Sequence, residues 1–186
     1  MKHWKLIVIV GLVFCAVIIF LEPTQEDWNR SLLEAVLNGE ISKTKKAITG
    51  GAAINTTNDK RESPLYVASR EGHTEVVKIL LAAGADTNLK SCSALTTAAG
   101  NGHTEIVKLL LAAGADADLC SGFFWCRTAL FSAAQFGHTE IVKLLLEAGA
   151  DVHKKSDLFD LDALFIASIR GHTGIVKLLK EYGAHY

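Results

Sequence analysis

The sequence predicts an all-α fold: a solenoid of about five helix–turn–helix repeats with hairpin-like finger loops, preceded by one N-terminal hydrophobic helix. Three observations predict it. The first is self-similarity. The stretch GHTEIVKLLLAAGAD at Gly102–Asp116 returns with one change (Glu147 for Ala112) at Gly137–Asp151, and with two conservative changes at Gly72–Asp86. It recurs in worn form at Gly171–His185 and faintly from Asn38. The leading glycines Gly39, Gly72, Gly102, Gly137 and Gly171 step by 33, 30, 35 and 34 residues, a period that marks stacked repeats. The second is helical periodicity inside each copy. The third is an uncharged apolar run, Leu6–Leu21, that no stacked repeat requires.

Residues 1–22 form a separate unit. The sixteen apolar residues follow Lys2 and Lys5 and end at Glu22 and Pro23. As a helix they span about 24 Å, a little less than the ~30 Å hydrocarbon core, and Trp4 and Lys5 suit the interface. An uncleaved signal anchor needs only this run and its flanking charge. A cleaved signal peptide needs small residues near Leu21–Thr24, which are absent. A lipoprotein signal on Cys15 meets the bulky Phe14. The positive charge before the run and Glu22, Glu26 and Asp27 after it place the N-terminus in the cytoplasm and the repeats outside, in periplasm or cell exterior. Secretion after cleavage is the alternative.

Residues 23–27 read as a linker, and 28–186 as the repeat domain, with repeats at about 28–58, 59–88, 89–118, 119–153 and 154–186. Each repeat opens on a short helix whose first residue is Ser63, Ser93, Thr128 or Asp162, the residue types that cap helix N-termini. Pro64 suits the first helical turn. Ala68, Ala98, Ala99, Ala133, Ala134 and Ala167 offer small faces for close helix packing. The longer second helix puts Glu105 and Lys108 on one wetted stripe and is apolar elsewhere. Thr104 is expected to cap it, and Gly114 to leave it with positive φ. In the first repeat Lys43, Lys45 and Lys46 replace Val76, Lys78 and Ile79. In the last, Lys180 replaces Leu81, Leu111 and Leu146. Both substitutions polarise an outer face, as terminal repeats require.

The unit resembles the ankyrin repeat, T-P-L-H-x-A-A-x-x-G-H followed by a second helix and G-A-D-x-N. Residues 60–154 carry the resemblance most specifically, and weaker copies extend it to about 28–185. One departure is consistent: Tyr66, Thr96, Phe131 and Phe165 stand where the motif's first histidine belongs. The inter-repeat bonds of that histidine are therefore not expected, and aromatic packing takes their place. The resemblance implies protein binding through a concave groove and the fingers, by small ankyrin proteins, bacterial exported ones among them, some of which accompany an enzyme or toxin. It places contact residues just before each Gly-His, here Arg70 and Glu71, Gly100 and Asn101, Gln135 and Phe136, Ile169 and Arg170.

The fingers hold the length variation. The one before Thr128 has two extra residues and carries Phe123, Phe124 and Trp125; the next contains Leu158 and Phe159. Exposed aromatic anchors dominate interfaces, but these same side chains also suit filling the groove between neighbouring fingers. Cys120 and Cys126 flank the aromatic finger and are disulfide candidates outside the cytosol, with Cys92 a rival partner.

Net charge of −1 and the lack of a basic face argue against nucleic acid. His73, His103, His138 and His172 recur at one position of stacked repeats, too far apart to converge on one metal. No phosphate loop, nucleophile motif or carboxylate pair stands outside the repeat pattern, so no cofactor, metal or catalytic residue is expected. The sequence reads as a monomeric, membrane-tethered, non-enzymatic module for a protein partner. Contacts are expected from Arg70, Phe123, Phe124, Trp125, Gln135, Phe136, Leu158, Phe159 and Arg170. The alternative is an exported accessory or redox-linked protein supporting an enzyme or toxin, with Cys120 and Cys126 as its disulfide pair; a spacer at the membrane is a third reading.

Overall fold

The computed structural model of the chain describes residues 23–89, 93–120, 127–155 and 161–185. Among these residues lie ten helices and no strand longer than an isolated bridge at Arg127. Five inner helices, α1 (Gln25–Leu37), α3 (Pro64–Glu71), α5 (Ala94–Gly100), α7 (Ala129–Phe136) and α9 (Ala163–Arg170), alternate with five outer ones. The outer helices are α2 (Ile41–Thr49), α4 (Thr74–Ala82), α6 (Thr104–Ala112), α8 (Thr139–Glu147) and α10 (Thr173–Glu181). Each inner helix packs on its own outer helix and on the next inner one, and the outer helices pack in the same succession. That is a one-dimensional stack in which each unit is stabilised by its neighbours.

The hydrophobic pattern sets the packing. Leu32, Leu65, Leu95, Leu130 and Leu164 occupy one register position in the inner helices and are all buried. Val77, Val107 and Val142, with Leu80, Leu110 and Leu145, do the same in the outer ones. The expected small face is present, with Ala68, Ala98, Ala99, Ala133, Ala134 and Ala167 sealed between helices. Glu105, Lys108, Glu140 and Lys143 form the exposed outer stripe, and Lys43, Lys45, Lys46 and Lys180 are exposed on the end repeats.

Capping follows the sequence in the inner helices. Ser63 and Ser93 accept through Oγ from Tyr66 N and Thr96 N at 3.2 Å, Thr128 through Oγ1 from Phe131 N at 3.2 Å, and Asp162 through Oδ1 from Phe165 N at 2.7 Å. Two boundaries differ from expectation. Thr24 and Asp27 close a capping box that starts α1 at Gln25, so a helical turn occupies the stretch read as linker. Thr104 is the first residue of α6 and caps nothing; His103 holds the cap position, with no side-chain hydrogen bond to the helix.

That histidine is turned to the preceding repeat instead. Nε2 of His73, His103 and His138 lies 3.1 Å from the carbonyl oxygens of Leu37, Arg70 and Gly100, and that of His172 lies 3.3 Å from Gln135 O. A carbonyl only accepts, so each ring carries its proton on Nε2 and donates. The ring lies flat over the previous repeat's glycine: a Cβ on Gly72 would sit 2.7 Å from the His103 ring. Gly72 also has φ +77°, where a side chain is strained. The recurring Gly-His is thus an inter-repeat clip. A second ladder joins the finger bases, where Asn55, Asn88 and Asp118 accept through Oδ1 from the backbone N–H of Asp86, Asp116 and Asp151 at 2.8–2.9 Å.

Candidate functional site

Two register positions of the inner helices vary in residue and exposure between repeats while the core around them does not. In the second repeat they are Tyr66 and Arg70, and both are used internally. Arg70 pairs through Nη1 with Glu62 and through Nε with Glu71 at 2.8 Å, and its guanidinium stacks over Tyr66 at 5.7 Å. The hydrogen bond it donates to Glu71 and the Glu62 charge raise its pKa further. Burial opposes ionisation of Glu62, but the hydrogen bond from Asn58 and the charge of Arg70 outweigh it and hold that carboxyl below its ordinary value. Arg70, expected as a partner contact, is committed to its own repeat.

In the fifth repeat the same positions are Phe165 and Ile169, 40% and 64% exposed. They stand four residues apart and form one apolar stripe on α9. On the adjoining α7, Phe136 is 56% exposed. Arg170 is exposed beside Ile169, whereas Gln135 is half-buried, its Oε1 buried without a hydrogen-bond partner. Among the residues replacing the motif histidine, Phe131 is 6% exposed and packs in the core as anticipated, but Phe165 faces out. Phe165 stands at a position expected to pack, whereas Ile169 is one of the positions before Gly-His that the resemblance marks for contact, and it is exposed.

Between these regions α3, α5 and α7 enclose a groove of about 220 Å³. Tyr66 and Phe136 line its two sides, and Gly100, Thr96, Thr97 and Asn101 lie between, with Ser132 and Arg127. Asn101 Nδ2 donates to Arg70 O at 3.3 Å, fixing the amide across two repeats. Thr96 Oγ1 is buried without a hydrogen-bond partner.

Phe123, Phe124, Trp125, Leu158, Phe159 and Cys126 lie outside the described residues, as does the run Leu6–Leu21. No described helix is long and apolar enough to cross a membrane. Cys120 is disulfide-bonded; Cys92 and Cys126, its two expected partners, are both outside the described residues.

Comparison with known proteins places the arrangement. A family profile described as "Ankyrin repeats (3 copies)" matches residues 32–121 and 113–186. The human Ankyrin repeat domain-containing protein 35 is 40% identical over 67 residues, which is 34% of this chain and 7% of that protein. Myotrophin of Xenopus tropicalis is 33% identical over 58 residues, 31% of this chain and 49% of that protein. The match thus covers about half of one relative and a small part of the other.

Proposed function

The chain belongs to the ankyrin repeat family, whose repeats are in general protein–protein interaction modules, and from that premise we propose that it binds a partner protein, without catalysis, through the inner-helix surface of its third to fifth repeats. The observation that carries the reading is the exposed apolar set Phe136, Phe165 and Ile169 on two adjoining inner helices. Large apolar side chains exposed on adjoining helices mark an interaction site. Folding gains nothing from exposing three large apolar side chains, and the neighbouring repeats carry Gly100 and Gln135 at the Ile169 position and Asn101 and Arg170 at the Phe136 position. The contacts expected of Phe123, Phe124, Trp125, Leu158 and Phe159 belong to the same reading.

The module is tethered by Leu6–Leu21, with the repeats outside the cytoplasm, and acts as a monomer. The Cys120 disulfide supports that location, because such bonds persist in oxidising compartments. Cross-linked capture from membranes, comparing the wild-type chain with Phe136→Asp/Ile169→Asp, tests the binding surface; equal recovery of partner by both would refute it. Protease treatment of intact cells or spheroplasts tests the orientation, and a fully protected repeat domain would overturn it.

A further inference from the structure

We propose that the groove over Gly100 receives an acidic side chain and an adjacent apolar one, both from a single segment of the partner protein. This rests on the docking reading above and specifies the partner's chemistry.

Gly100 is the first ground. It ends α5 at the position where neighbouring repeats carry Arg70 and Gln135. Its φ is not left-handed, unlike that of Gly102 two residues on. A Cβ there would meet Ser132 Cβ at 3.5 Å and the Phe136 ring at 3.8 Å, which is ordinary contact. Neither backbone conformation nor packing demands glycine, and a helix favours alanine over it. What the missing side chain does provide is an open floor between Tyr66 and Phe136.

Charge is the second ground. No carboxylate lines the groove, and Arg127 does. The Arg127 guanidinium has no ion-pair partner among the described residues, whereas the nearby Arg70 is neutralised by Glu62 and Glu71. An unpaired guanidinium at the side of a groove favours a carboxylate, whose two oxygens match its fork of donors. The third ground is hydrogen bonding. Thr97 Oγ1 accepts from Asn101 Nδ2 at 3.5 Å, so its own proton remains to donate. The buried Thr96 hydroxyl beside it has no partner at all. The exposed Phe136 ring then covers an apolar neighbour of the acidic residue. The occupant is therefore an internal Asp or Glu next to an aliphatic or aromatic residue.

A random peptide library displayed on phage, panned against the full chain in detergent micelles, tests this. The wild-type chain should enrich peptides with an acidic residue beside an apolar one. Binding of those peptides should weaken roughly tenfold in Arg127→Glu, persist in Arg127→Lys, and be lost in Gly100→Leu, with melting curves used to confirm that each variant folds. Neutral or basic peptides enriched by the wild-type chain would overturn the proposal without use of any variant, as would equal binding by Arg127→Glu. If Gly100→Leu binds normally while Phe165→Asp/Ile169→Asp does not, the groove chemistry is wrong and the docking surface stands. If neither variant loses binding, both fall.

Discussion

The second and fifth repeats put different chemistry on one backbone. At matching positions the second carries Tyr66 and Arg70, locked together and to Glu62 and Glu71, while the fifth carries Phe165 and Ile169, bare to solvent. For Arg70 to engage a partner, two ion pairs must first break, a cost that any new contact must recover. Ile169 has nothing to give up, so each apolar contact it makes is net gain. The stack is uniform in its core and variable on its inner surface: charges tie down the second repeat, apolar side chains stand out in the fifth, and Leu37, 50% exposed, holds the Ile169 position in the first.

The largest expected effect separates these two ends directly. Phe165→Asp/Ile169→Asp should weaken partner capture more than a hundredfold, about 3 kcal/mol in binding, with little change in melting because both side chains are already exposed. Arg70→Ala should leave capture within about twofold. Capture that depends on Arg70 and not on Ile169 would reverse the assignment.

Glycines sharpen the comparison through stability. Gly72 and Gly171 have φ of +77° and +76°, but only Gly72 lies beneath the next repeat's histidine. Gly72→Ala should cost about 3 kcal/mol in urea denaturation and Gly171→Ala only about 1 kcal/mol, the difference being displacement of His103. Equal costs would mean that the clip contributes nothing beyond the backbone strain.

The charge network of the second repeat predicts a pH signature. A carboxyl held below its ordinary 4.5 stabilises the fold fully above that value, and the contribution disappears as pH falls through the lower folded-state value. Glu62→Gln should therefore cost about 1 kcal/mol near neutral pH, with the wild-type and variant curves converging in acid. Parallel curves would show that the network is not coupled to folding. The smallest effect is a gain: Gly100→Ala should stabilise by about 0.5 kcal/mol while weakening whatever occupies the groove.

The repeat period and the apolar spacing made the helices and the core readable in the sequence, because burial follows from periodicity alone. The inner-helix caps were equally legible, since Ser63, Ser93, Thr128 and Asp162 act within three residues of themselves. The role of His103 was not. Its partner is a backbone carbonyl 33 residues away, and nothing local distinguishes a ring that caps its own helix from one that reaches the preceding repeat. Arg70 looked available for the same reason: the pair with Glu62 forms only when the finger folds back on α3. Of the expected contact set, Phe136 proved exposed. Ile169, at the contact position before the last Gly-His, is exposed as well; the outward turn of Phe165 escaped because it depends on the setting of one short helix, and the finger aromatics fall outside the described residues.

The most direct test of where the partner docks is site-specific photo-cross-linking in the full chain, with the reactive group placed at Ile169 on the inner surface or at Lys143 on the outer stripe. Both positions are exposed, so access is matched and only the face differs. A covalent adduct from position 169 and none from 143 is the predicted result. An adduct from 143 alone would contradict the account, because it would place the partner on the outer helices.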